Sequence, residues 1–186
     1  MTFLTSPDPA YLMLLANALK PQKGESLARL RTRAAATAAT VSRGEEALAK
    51  LESQDATRVA LYRACDWRLG RLALHELRPW PGMDELPLSW CEGSIDETAA
   101  LVRAHGLPPA QSRLKRLLAL RGQVETQELV AWLCYLPLPV LPDELLHARP
   151  SLEGSPWGLD DGCARAVALS LLGVEFVDVL MGCPKS

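Results

Sequence analysis

Apolar or small residues recur every three or four positions between Glu25 and Ser53: Leu27, Leu30, Ala34, Thr37, Val41, Gly44, Leu48 and Leu51. That spacing draws one stripe along a helix and sets the a/d seam of a helix packed against a neighbour. The seam is weak in its middle, where Ala34, Thr37 and Gly44 are small or polar, and Arg29, Arg31, Arg33 and Arg43 lie off it. A second apolar face, Val59, Tyr62, Leu69 and Leu72, widened by Leu61, Cys65 and Leu74, predicts a helix from Ala56 to about Leu77. The heptad phase breaks at Ser53-Gln54-Asp55, so 25–77 reads as a long antiparallel helical hairpin, with one locally unwound continuous helix as the alternative.

Local signals place the remaining elements. Asp8 followed by Pro9 predicts the cap and first residue of a short helix running to about Leu19, which Pro21 and Gly24 end. Arg78 to Gly93 is a loop punctuated by Pro and Gly. Ser94 and Glu97 form a capping box that opens a helix closed by Gly106. Pro108 or Pro109 starts the next, which reaches Gly122, and another spans about Thr126 to Leu136. A second Pro-rich stretch, Pro137 to Gly158, holds one helical turn at Asp143–His147. Asp160 or Asp161 is then expected to cap a nearly apolar last helix continuing to about Met181. With aromatic residues at only 5%, the core must come from Leu, Ala and Val, a composition that favours helices over strands.

The expected fold is therefore all-α, a long N-terminal helical hairpin plus a bundle of shorter helices, about seven in all, without significant sheet. Residues 1–77 form a helical arm, 78–93 a Pro/Trp-rich connecting loop, and 94–186 a compact helical bundle with a C-terminal core helix. A secretory leader is not expected, because the start lacks a basic region and the apolar run Tyr11–Leu15 is short. Arg165, Glu175 and Asp178 interrupt the most apolar stretch, which argues against a membrane span. Cys183-Pro-Lys-Ser puts Pro and Lys where a prenylation box needs aliphatic residues. The five cysteines are widely spaced and form no Cys-x-x-Cys pair, so free thiols in a cytoplasmic protein are expected rather than disulfides or zinc.

Catalytic signatures are sparse. His75, His105 and His147 lie far apart, and neither a Gly-x-Ser-x-Gly elbow nor a phosphate-cradling Gly-rich loop occurs. Cys163, at the start of the last helix, has Asp160 and Asp161 beside it to oppose a thiolate, which favours a packed cysteine over a nucleophile. The pairs Glu45-Glu46, Asp84-Glu85 and Asp143-Glu144 are adjacent in sequence and read as solvated surface. No catalytic, cofactor-binding or metal-ligating residue is assigned.

Residues Arg113 to Leu133 resemble the first two helices of many winged-helix modules: a basic amphipathic helix (110–121), a Gly turn, a Thr cap and an apolar second helix (126–136). The resemblance implies a DNA-binding regulator. The sequence departs from that pattern at Cys134–Arg149, which is proline-rich and carries Asp143 and Glu144 where a basic recognition helix should follow. A net charge of −2 offers no general nucleic-acid surface either.

Protein partners are the reading the sequence favours. Trp80, Trp90 and Trp157 fall in the Pro/Gly-rich loops, where rigid aromatics can act as interface anchors or fold back over the core. The Leu27–Leu51 stripe, flanked by Arg29 and Arg33, is a second candidate surface, with packing inside the hairpin as its plainer role. The expectation is a non-enzymatic interaction module, an adaptor, accessory or regulatory subunit of a larger bacterial cytosolic assembly. A helix-turn-helix regulator comes second, and an enzyme with a spatially assembled site third.

Overall fold

The computed structural model describes residues 8–18, 20–22, 24–83, 86–107, 113–147, 149–150 and 152–185. The chain is mixed α/β, not all-α. The described residues form helices α1 (Pro9–Ala18), α2 (Leu27–Ala38), α3 (Gly44–Glu52), α4 (Ala56–Arg63), α5 (Ile95–His105), α6 (Arg113–Ala119), α7 (Thr126–Leu133), α8 (Asp143–His147) and α9 (Cys163–Leu171). Strands β1 (Cys65–Ala73), β2 (Leu77–Arg78), β3 (Leu138–Pro142), β4 (Trp157–Leu159) and β5 (Phe176–Pro184) form one sheet in the order β1-β5-β3-β4-β2. β1–β5 and β3–β4 are antiparallel, while β3–β5 and β2–β4 are parallel.

The expected long hairpin does not form. Its seam breaks between α2 and α3, close to its weak positions. Thr37 and Thr40 hydroxyls bond back to the carbonyls of Arg33 and Ala36, and Gly44 begins α3 at φ +57°. The second expected helix stops at Arg63, and its continuation is β1, paired with β5 from Cys65↔Pro184 to Ala73↔Phe176. Leu69, assigned to a buried helical stripe, is 51% exposed, because in a strand it shares a face with Trp67 and Arg71. The last expected helix is likewise cut. α9 ends at Leu171, Gly173 turns the chain at φ +82°, and β5 follows. The forecast start at Pro108 or Pro109 lies outside the described residues.

Period-2 alternation along β5 organises the core. Val177, Val179 and Met181 face the main cluster with Ala166, Val167 and Leu169 of α9. Leu180 points the other way, against Tyr11, Leu12 and Leu15 of α1. Behind α1 lie Ala47 and Leu51 of α3 and Val59 and Tyr62 of α4. The sheet is thus covered on both faces near its centre, while Phe176 at one end of β5 stays 50% exposed. Among the described residues no helix is long and apolar enough to cross a membrane.

Candidate functional site

A cleft of about 780 Å³ opens where the end of α1, the start of α4, the Trp80–Met83 turn, α6 and the start of α9 meet. Each side chain arrives from its own local structure. Asp8 caps α1, accepting from Tyr11 N–H at 2.9 Å, and the chain leaving that helix carries Lys20 to the rim. Arg33 holds this exit. Its guanidinium forks onto Glu25 at 2.7 and 2.9 Å and also donates to the Lys20 carbonyl at 2.8 Å. Asp55 caps α4 through Arg58 N–H, which places Arg58 on the wall. Arg113 and Arg116 come from α6, whose Leu114 and Leu117 are buried.

α9 starts at Cys163, with Gly162 rather than either aspartate in the capping position and no side chain closing its first turn. Gly162 sits at φ +87°, and a Cβ there would lie 2.6 Å from Leu138 Cδ2 and 3.1 Å from Arg165 Nη2, so the position needs glycine. Asp160, expected as a cap, is instead buried beneath the cleft. It accepts from Arg58 Nε at 3.0 Å and from the Tyr62 hydroxyl. Burial pushes its carboxyl above the usual range, against the pull of Arg58, and drives the Tyr62 hydroxyl well above its ordinary value.

The basic groups are crowded. Burial lowers Lys20, helped by nearby Arg113 and Arg58, and only Asp161 opposes the shift. Arg165 donates to the carbonyls of Leu136 at 2.9 Å and Pro137 at 3.4 Å, and desolvation lowers its pKa too. Arg116 Nε is buried with no hydrogen-bond partner. Around these cations Met13, Ala16, Leu51, Met83 and Leu117 supply apolar wall.

Cys163 lies on this wall but is no poised nucleophile. Burial pushes its thiol up to about 12, and its Sγ accepts from Trp80 N–H at 3.2 Å. Such a thiol stays protonated at neutral pH.

Of the sequence candidates, only Trp80 lines the cleft, and it is half-buried with its ring edge-on to His147 at 4.7 Å. Trp90 packs against the main core beside His105 at 5.3 Å. Trp157 sits in β4, half-buried over the same core. Arg29 stands exposed on α2, and Arg33 reaches the site through the Lys20 carbonyl. The structure does not gather these five residues into one surface.

Sequence reasoning missed Lys20, Arg58, Arg113, Arg116, Asp160 and Arg165 as one constellation. The i, i+3 pair Arg113 and Arg116 is visible in the sequence as a basic helix, but nothing local to it separates a cleft wall from a DNA-facing helix. Where a recognition helix would follow α7, the chain enters β3, an internal strand with Leu138, Val140 and Leu141 buried. Asp143 also departs from expectation. Read as solvated surface, it is fully buried between Arg78 and Arg149. Among the described residues no cluster of His, Cys, Asp and Glu could hold a metal ion. Comparison of the chain with known protein families, curated proteins and solved structures finds no match.

Proposed function

We propose that this chain is a non-enzymatic binding domain that takes a small anion in the α1–α4–α6–α9 cleft. One observation carries the reading: basic side chains from four separate parts of the chain converge on one walled cavity. Bringing like charges together costs free energy, up to about 4 kcal/mol per pair at 4 Å near a protein surface. Asp55, Asp160 and Asp161 in the lining offset part of that cost, and an anion entering the cleft would offset the rest. The volume falls within the roughly 300–1,000 Å³ range of small-molecule sites.

Thermal unfolding at fixed ionic strength tests this. Millimolar citrate or phosphate should raise the melting temperature above that in chloride, and the rise should vanish in an Arg116→Met/Arg165→Met variant. Identical melting in all three salts refutes the proposal.

A second reading keeps the adaptor or accessory-subunit role, favoured by the edge of the sheet. β1 is outermost, and Leu69 and Phe176, both about half exposed, share one face of the β1–β5 ribbon with Arg71. In a native pull-down, a stoichiometric protein retained by the natural chain and lost with Leu69→Asp/Phe176→Asp supports it. Equal retention by both, or no partner, counts against it.

A further inference from the structure

We propose that the anion is a phosphate monoester with an apolar or ring-bearing body, its phosphate held between Arg116 and Arg165 at the mouth of α9. The proposal rests on the reading of the cleft as an anion site and narrows it to one chemistry.

Charge comes first. Lys20, Arg58, Arg113, Arg116 and Arg165 line the cleft against Asp55, Asp160 and Asp161. That leaves a formal surplus of two positive charges in a chain whose net charge is −2. A phosphate monoester carries about −1.5 to −2 at neutral pH and matches this surplus better than a single carboxylate does. Two of the acids are engaged away from the arginines proposed as ligands: Asp160 is held by Arg58 and Tyr62, and Asp55 lies 3.7 Å from Arg58. Asp161 acts on both Lys20 and Arg165, and the surplus of two positive charges already counts it.

Geometry points the same way. Arg165 is anchored through both terminal nitrogens to backbone carbonyls, which fix its position without neutralising it. Its charge stands in the first turn of α9, where the helix dipole is already positive and no acid lies within the turn. Arg116 contributes a buried Nε–H that still lacks an acceptor, and a guanidinium presents its donors as a planar fork suited to two phosphate oxygens. These groups come from α6 and α9, two elements far apart in sequence.

Size and lining define the rest of the ligand. A cleft of about 780 Å³ is far larger than a lone phosphate needs. The remaining wall includes Met13, Leu51, Met83 and Leu117, which suit an apolar or flat body.

The test is calorimetric titration of the full chain with phenyl phosphate, inorganic phosphate and benzoate at constant ionic strength. Phenyl phosphate should bind at least about tenfold more tightly than either of the others. Arg116→Met and Arg165→Met should each weaken it by about tenfold or more, and Arg116→Lys, which keeps the charge without the fork, by somewhat less. Arg68→Ala, on the exposed edge strand, should leave it unchanged. Circular dichroism establishes that each variant is folded, and Arg116→Lys serves if the methionine variants are not. Benzoate binding as tightly as phenyl phosphate, with both weakened by the arginine variants, would keep the anion site and overturn the phosphate assignment. Absence of binding by all three overturns both. Phenyl phosphate binding that ignores Arg116 and Arg165 also overturns the assignment.

Discussion

Two buried aspartates sit at opposite ends of the antiparallel β3–β4 pair, each engaged by arginine, and their surroundings differ sharply. Asp143 follows β3, accepting from Arg78 Nη1 and Arg149 Nη2 at 2.6 Å each. The same arginines also donate to the carbonyls of Pro79, Cys91, Glu92 and Pro150, stapling the Trp/Pro loop to the sheet. Gly158 lets this cluster close, since a Cβ there would meet Asp143 Oδ1 at 2.7 Å. Asp160 follows β4 and has Arg58 and Tyr62 as partners, but it lines the open cleft, with further cations around it. One end of the strand pair is sealed and structural. The other keeps charge facing a cavity, and that difference is the basis of the proposed anion site.

The largest expected effect is at the sealed end. Asp143→Ala leaves two arginines buried without a counter-charge and should destabilise the fold by about 3–5 kcal/mol in urea unfolding. A loss below about 1 kcal/mol would remove the distinction between the ends.

His147 provides a pH test of the same cluster. Burial, followed by Arg149, lowers its pKa from 6.5 to about 4, and Arg78 adds to the shift. Asp143, 3.9 Å from Nε2, pulls the other way but is already spent on both arginines. The unfolded chain therefore takes up the proton first. Stability is fully present above about pH 6.5 and falls as pH drops towards 4, by on the order of 3 kcal/mol. His147→Gln should flatten that slope, and an unchanged slope between pH 4 and 6.5 would assign it to other groups.

Asp160→Asn should cost less, about 1–3 kcal/mol, because water reaching the cleft can rehydrate Arg58. It should also strengthen anion binding by removing a nearby negative charge. A cost equal to that of Asp143→Ala would mean that the second end is sealed too.

Local chemistry made part of this legible in the sequence. The Ser94–Glu97 box caps α5 with both reciprocal bonds, Gly106 ends it at φ +83°, and Asp143–His147 forms the expected single turn. Strands β1 and β5 were obscured for one physical reason. Apolar residues spaced by three or four satisfy a helical template even when the neighbouring residues also alternate, as in Val174-Glu-Phe-Val-Asp-Val179. Their pairing joins residues more than a hundred positions apart, which no local window records. The cleft is harder still to read, because Lys20, Arg58, Arg116 and Arg165 share no motif and are brought together only by the tertiary fold. Asp160 and Asp161 stood out as helix caps, but their tertiary partners could not be seen.

On the proposed function, the cleft end of the β3–β4 pair receives an anion while the sealed end does not. Two-dimensional ¹H–¹⁵N spectra of the arginine side chains, titrated with inorganic phosphate at constant ionic strength, test it directly. Saturable shifts are expected at Arg116 and Arg165 and at the amides of Cys163 and Ala164, with Arg78 and Arg149 unmoved. Unsaturable drift at all four arginines, or no movement at Arg116 and Arg165, would contradict it.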